Sequence, residues 1–314
     1  MNDGAGPGTP GVPGTVGVVG LGNIGGAIAA NLATDGLEPV VADADPQRVA
    51  AVTGARPAAS VAELATSAAV TITSLPTPEV VEAVAGEWAA AAPAGAVLVD
   101  LSTNLPQGNR LLAERLAGSG HRFVEAPLTG GAVGARNRSL VFMVGGDDDA
   151  VALVRPLLDR LGRATFHLGP VGAGTTMKLV NSLLAFAATW SSLEALSLAA
   201  AGGIDLRTAV EVVRTGGASN FYIDRVVDGI DVRDRPVQFA LDLAAKDARL
   251  MGALADDSAV PAPVAAALAE VLGDAVGRGL GPRDWSDLVV AAEERSGRPL
   301  RMEQAPAGGA GEER

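Results

Sequence analysis

TVGVVGLGNIGGAIAANLATDG, residues 15–36, decides how the chain is read. Residues 15–20 are β-branched or glycine, the composition of a buried strand. Residues 23–36 are rich in alanine and close on Gly36, a helix with its C-terminal stop. Between the two, Gly20, Gly22 and Gly25 hold the G-x-G-x-x-G spacing. Gly20 permits the tight turn off the strand, Gly22 lets the backbone approach a pyrophosphate, and Gly25 lets the helix pack closely on the sheet. In a chain with 40 glycines the spacing alone is weak. Set between a strand and a helix, it marks a dinucleotide site with the helix N-terminus turned to the phosphates. Gly20, Leu21, Gly22, Asn23, Ile24 and Gly25 are therefore the candidate cofactor loop.

Asp43 ends the next apolar run, EPVVADAD (38–45). An acid at that point accepts the ribose hydroxyls of an adenosine and repels a 2′-phosphate. No arginine stands next to it in sequence, so NAD is favoured over NADP. The bland alternative is that Asp43 caps the turn DADPQR.

From there to about residue 170, short β-rich runs alternate with helical ones: 69–76, 95–102 and 121–127 read as strands. SVAELATSA (60–68) opens on Ser60 with Glu63 three residues on, a capping box. The alternation predicts an α/β fold with a doubly wound parallel sheet. Residues 139–146 and 164–169 read as its last strands. After residue 172 strand signals stop and helical runs take over, over 175–201, 205–215, 219–228, 236–256, 261–278 and 282–295. The first is about 27 residues, roughly 40 Å at 1.5 Å per residue, and stops at Gly202-Gly203. It reads as a spine between the two halves. The expected organisation is a lead-in over 1–14, a Rossmann-type domain over 15–172, an all-helical domain over 173–296 and a low-order tail over 297–314.

Composition narrows the function classes. The net charge of −12 argues against nucleic acid, which needs clustered Lys and Arg, and against an anionic membrane surface. The chain has no cysteine and two histidines, which excludes disulfides and thiolate nucleophiles and makes a bound metal an improbable expectation. The first residues show no basic start followed by an apolar run, and the cytoplasm is the expected location.

Polar motifs follow the strands: SLPTP (74–78), DLSTNLP (100–106) and EAPLTGGAVGA (125–135). In an open α/β sheet such loops meet at the carboxyl edge, where ligands bind. Singly, each is ordinary loop punctuation. Thr129, Gly130 and Gly131 offer a hydroxyl and exposed backbone N–H groups, a loop able to wrap a carboxylate; otherwise it is a turn before the next strand. Lys178 and Asn181 lie three residues apart in GAGTTMKLVNSLLAFAATW (172–190), on one helix face. A cation near a helix N-terminus opposes the dipole, so Lys178 is not placed there for stability. FALDLAAKDARL (239–250) adds Lys246, which either pairs with Asp242 at the surface or lies over the cofactor. Trp190, Asn220, Phe221 and Tyr222 are candidate pocket walls.

Taken in order, GLGNIGG, DLSTNLP with EAPLTGGAVGA, GAGTTMKLVNS and KDARL resemble the β-hydroxyacid dehydrogenase family, over about residues 15–295. The resemblance implies a Rossmann-type domain, a linking helix and a C-terminal helical bundle, assembled as a homodimer or homotetramer. It implies NAD(P)-dependent hydride transfer on a small 3-hydroxy acid or its semialdehyde. Lys178 then corresponds to the general acid/base, and Asn181 to its orienting partner. Thr129, Gly130 and Gly131 correspond to the substrate-carboxylate loop, and Leu75, Pro76, Thr103 and Lys246 to cofactor-lining positions. Three departures bear on the substrate: Thr129 stands for a usual Ser, Glu125 for a usual Asp, and Arg138 for a common Gly. Arg138 either pairs with a second acidic group on the substrate or faces water. An imine reductase shares this architecture but generally lacks the lysine. A non-catalytic cofactor-binding scaffold would be expected to lose the lysine or the loop.

Overall fold

The computed structural model describes residues 14–302, Asp234 excepted. The sequence expectations for 1–13 and 303–314 lie outside the described residues.

Three valines and a glycine form β1 (Val16–Val19), whose residues are all buried. Strands buried on both faces read as continuous apolar runs, and this is one. The glycine turn then feeds α1 (Gly25–Thr34), whose Ile28, Ala29 and Leu32 face the core. The sheet grows by repetition. β2 (Val40–Ala42), the short β3 (Arg56–Pro57), β4 (Val70–Thr73), β5 (Val97–Asp100) and β6 (Arg122–Glu125) join β1 in the order β3-β2-β1-β4-β5-β6. Every neighbouring pair is parallel. The order reverses between β1 and β4, the switch point where such sheets bind ligands.

Helices α2 (Pro46–Ala51), α3 (Val61–Ser67), α4 (Pro78–Ala89) and α5 (Pro106–Gly118) connect the strands. Their starts follow the capping rules. Asp45, Ser60 and Thr77 each accept a first-turn N–H, and Glu63 reaches back to the N–H of Ala59 at 2.8 Å. The expected capping box is present in its forward half, Ser60 to the Glu63 N–H, while the return bond lands one residue before the cap. Strand β3 escapes the sequence reading: two exposed residues give no periodicity.

One expectation needs correcting. Residues 139–146 and 164–169 do not extend the parallel sheet. They form β8 (Leu140–Val144) and β9 (Gly162–His167) of a separate three-stranded sheet with β7 (Leu128–Thr129), in the order β7-β8-β9. β7 and β8 run antiparallel. The two sheets meet at a bridge in which Glu125 and Gly145 exchange both backbone hydrogen bonds, at 3.0 and 2.9 Å. The chain turns back here because α6 (Gly131–Arg136) is only six residues long, too short to cross over and restore a parallel strand. α7 (Asp148–Leu161) packs the apolar face of its stripe, Val151, Val154, Leu157, Leu158 and Leu161, into the core.

α8 (Ala173–Ala201) is 29 residues long, about 44 Å at 1.5 Å per residue. By length and composition it is apolar enough to cross a membrane. It carries Lys178, Asn181 and Glu194. Two compact units meet inside it, one ending at Val180 and the other starting at Asn181.

The second unit is helical: α9 (Leu206–Thr215), α10 (Phe221–Asp231), α11 (Leu241–Asp257), α12 (Pro263–Ala275), a π turn over 276–280, a 3-10 turn over 285–287, and α13 (Leu288–Ser296). Phe186, Phe239 and Trp285 cluster in its core, with Phe186 and Trp285 ring centroids 4.6 Å apart. Residues 297–302, expected as the start of a low-order tail, are tied down instead. Leu300 and Met302 are buried, and the Leu300 N–H donates to Glu293 at 2.6 Å. Two apolar side chains and one carboxylate outweigh the Gly- and Arg-rich surroundings that suggested disorder.

Candidate active site

The glycine loop is built as its spacing requires. Gly20 has φ +85°, and a Cβ on it would stand 2.4 Å from the Ser74 carbonyl oxygen. A Cβ on Gly25 would stand 1.9 Å from the Gly20 carbonyl oxygen. Neither position admits a side chain. Gly22 differs: a Cβ there would meet nothing nearer than Arg48 at 3.9 Å. Its role is to leave the backbone bare for a ligand. The N-cap of α1 is Ile24, whose side chain makes no capping hydrogen bond. A helix N-terminus behind a bare glycine loop suits a pyrophosphate.

Asp43 stands at the tip of β2 as expected. Its Oδ2 accepts the Leu21 N–H at 2.6 Å and its Oδ1 accepts the Asp45 N–H at 2.8 Å. The turn-capping role and the site role thus coexist, with the carboxylate held against the cofactor loop. Sequence proximity missed one neighbour. Arg48, one turn into α2, brings a guanidinium nitrogen to 3.8 Å from Asp43 and another to 3.6 Å from Asp45. A side chain five positions away reaches back because α2 starts immediately at Pro46. The ribose corner therefore holds two carboxylates and one cation.

Leu75 and Pro76 follow β4, and Thr103 follows β5, so all three lie on the carboxyl edge with the glycine loop. The Leu75 N–H donates to Ser102 Oγ at 2.9 Å, which ties the two loops together. These residues fit a dinucleotide cofactor laid across the switch point.

Thr129 ends β7, Gly130 takes φ +118° and Gly131 takes φ +60°. Both glycines are exposed, and a Cβ on Gly131 would meet nothing within 4 Å. The loop keeps an open concave backbone, the form needed to cradle an anion. Gly131 also starts α6, a helix in a glycine-rich stretch that carries no helical signal in the sequence.

Arg138 is neither a substrate ligand nor a solvated side chain. Its guanidinium clasps both oxygens of Asp35 at 2.8 Å and donates to the Asn31 carbonyl at 3.1 Å. Asn31 in turn donates to the Ala135 carbonyl at 2.8 Å. This corrects both readings of Arg138: it staples the segment after α6 to the end of α1. The hydrogen bonds from Arg138 hold the Asp35 carboxyl below the usual aspartate range. Sequence separation of 103 residues hides such a pair.

Lys178 is the sixth residue of α8, and Asn181 follows one turn later in the same helix. The start of α8 is anchored at the tip of β6. Glu125 is fully buried; its Oε1 accepts the N–H groups of Gly172 and Thr175 at 2.7 and 3.1 Å. Its Oε2 accepts Asn109 Nδ2 and Thr175 Oγ1 at 2.6 and 2.9 Å. The first turn of α8, one turn before Lys178, is thereby fixed at the carboxyl edge of the sheet. In the second unit, Lys246 Nζ lies 3.1 Å from Asp247 Oδ1, and the Asp242 carboxylate packs against the backbone of Gly281. Trp190 is buried with Arg295 6.0 Å over its ring, Asn220 caps α10 through the N–H groups of Tyr222 and Ile223, and Phe221 stacks edge-on with Tyr222.

Two family models match the chain. The NAD-binding domain of 6-phosphogluconate dehydrogenase covers residues 15–169, and the NAD-binding domain of NADP-dependent 3-hydroxyisobutyrate dehydrogenase covers 172–292. A 2-(hydroxymethyl)glutarate dehydrogenase of Eubacterium barkeri is 30% identical over 87% of this chain and 93% of its own. The chain belongs to the β-hydroxyacid dehydrogenase family. A 3-hydroxyisobutyrate dehydrogenase of Pseudomonas aeruginosa is 35% identical over 64% of this chain and 69% of its own. The solved 3-hydroxyisobutyrate dehydrogenase of Salmonella typhimurium superposes with a TM-score of 0.80 at 27% identity, over 88% of this chain and 99% of that one. As a member of this family the protein is an NAD(P)-dependent oxidoreductase.

Proposed function

We infer that this dehydrogenase interconverts a small 3-hydroxy acid and its semialdehyde, with Lys178 as general acid/base. The observation that carries the reading is the placement of Lys178 one turn beyond a helix start that Glu125 pins to the ligand edge of the sheet. A lysine serving only solubility gains nothing from that anchorage.

The nicotinamide cofactor, when bound, supplies the hydride acceptor or donor. The chain's own residues do the rest. Thr129, Gly130 and Gly131 hold the substrate carboxylate, which sets the distance to the reacting carbon. In oxidation the substrate hydroxyl loses its proton to Lys178 Nζ as the C–H bond yields its hydride. In reduction the ammonium of Lys178 returns a proton to the carbonyl oxygen. Asn181 orients the substrate oxygen beside Nζ. A positioned acid or base of this kind is worth on the order of 10² to 10⁴ in rate. Gly20 to Gly25, Leu75, Pro76 and Thr103 hold the cofactor.

The carboxylates of Asp43 and Asp45 favour NAD over NADP, and Arg48 between them moderates the preference. The names of two relatives describe substrates with a hydroxyl on the carbon β to a carboxylate. A homodimer or homotetramer acting in the cytoplasm completes the reading. The test is a panel of 3-hydroxyisobutyrate, 3-hydroxypropionate, glycerate, serine, threonate and 4-hydroxybutyrate, with NAD⁺ and NADP⁺ in parallel, followed by absorbance of the reduced cofactor. Turnover of a 3-hydroxy acid, faster with NAD⁺, is expected. Turnover of 4-hydroxybutyrate alone would overturn the substrate class.

A further inference from the structure

The strand register sets Thr73, Asp100 and Glu125 side by side as the last residues of β4, β5 and β6. All three are buried, at 1%, 0% and 0% exposure. An unbroken chain of hydrogen bonds runs across them. Asp100 Oδ1 accepts Thr73 Oγ1 at 2.8 Å and Ser102 Oγ at 2.6 Å. Asp100 Oδ2 accepts Asn104 Nδ2 at 2.8 Å, and the same Nδ2 donates to Asn109 Oδ1 at 3.0 Å. Asn109 Nδ2 donates to Glu125 Oε2 and Thr175 Oγ1. One end of the chain, Ser102, accepts the Leu75 N–H in the loop after β4. The other end, Glu125, accepts two N–H groups at the start of α8.

Burying two carboxylates among neutral partners is expensive, and apolar residues would fill the space at less cost. The surroundings are nonetheless shaped to admit them. A Cβ on Gly145 would stand 2.4 Å from Glu125 Oε1, and one on Gly174 would stand 2.4 Å from the Met143 carbonyl oxygen and 2.9 Å from the Gly145 nitrogen. The first turn of α8 therefore sits on the end of β8 with no slack, and the carboxylate fills the gap that the glycine leaves. Negative charge at the positive end of α8 favours the arrangement.

We propose that the buried chain Asp100–Asn104–Asn109–Glu125 is a positioning device. It fixes the first turns of α8, and so Lys178, relative to the loops that follow β4 and β5. Glu125 and Asn109 are positioning residues for the reaction. The claim rests on the reading of Lys178 as the proton-handling group.

Donor and acceptor can be exchanged along this chain, which supplies the test. Glu125→Gln turns an acceptor into an amide donor facing the Asn109 amide donor. Adding Asn109→Asp restores every bond with the roles reversed and keeps one negative charge. The expected loss in kcat for Glu125→Gln is about 10- to 100-fold, with the NAD dissociation constant within about 3-fold of wild type. Amide hydrogen exchange over residues 172–180 should accelerate about 10-fold. The double variant should return both readouts to within about 3-fold of wild type. Thr175→Val, which deletes one hydroxyl that both donates to Glu125 and accepts from Asn109 while keeping the shape, should move both in the same direction and serves if Glu125→Gln does not fold. Unchanged exchange over 172–180 in the folded variants overturns the proposal, as does a loss of kcat that the exchange of roles fails to restore. The exchange arm needs no substrate. A wild-type enzyme silent on the whole panel would count against the reading of Lys178 and leave the anchorage of α8 still measured.

Discussion

At the scale of single residues, the informative positions are those where a side chain, or the lack of one, meets the ligand edge. Gly131 has an open backbone at φ +60° with nothing within 4 Å of its would-be Cβ. Gly131→Val should raise KM for the hydroxy acid by about 10-fold or more while the NAD dissociation constant stays put, since the methyl groups enter the carboxylate loop and the backbone there disfavours a β-branched residue. A KM that does not move would take the loop out of substrate binding. Asp43 and Arg48 make the second case. Asp43→Ala should weaken NAD more than NADP; Arg48→Ala should weaken NADP more than NAD, because only the phosphate ester gains from the guanidinium. Cofactor titration of both variants reads the two effects separately. The tight glycine turn and the position of Asp43 after β2 are legible in the sequence, since each belongs to a short motif with local geometry. Arg48 is not: its proximity depends on where α2 begins.

Elements come next, and here long-range contacts escaped the sequence. The parallel sheet could be read because each strand is a buried apolar run with a turn signal after it. The second sheet could not be told from a continuation of the first, since β8 is as apolar as β4 or β5 and the reversal is set by the short α6. Arg138 shows the same limit. The bidentate pair with Asp35 joins α1 to the segment after α6. Arg138→Ala should lower stability by about 1 kcal/mol near neutral pH. The folded carboxyl of Asp35 lies below the ordinary aspartate value of 3.8, so the pair's contribution is present above that value. It is lost as pH falls through the lowered folded pKa. Wild type and Asp35→Asn should therefore differ in melting temperature at pH 7 and converge towards pH 3. A difference constant over that range would mean that the pair stabilises by packing and not by charge.

For the whole molecule, the resemblance carried by four ordered motifs led to the family, and the comparisons establish it. Composition alone never reached that far: net charge and the lack of cysteine narrowed the classes, and the order of motifs chose among them. Assembly is a prediction of the account. Sedimentation of the purified chain should give two or four times its 31.3 kDa; a monomer at micromolar concentration would remove the homo-oligomer from the reading. The central claim is that Lys178 moves the proton while the rest of the site holds the ligands. The most direct measurement compares steady-state turnover and NAD binding in wild type and Lys178→Ala, on whichever 3-hydroxy acid the wild type oxidises fastest. The account predicts a fall in kcat of about 10² or more with NAD affinity within about 3-fold. Retention of more than about a tenth of wild-type turnover would contradict it.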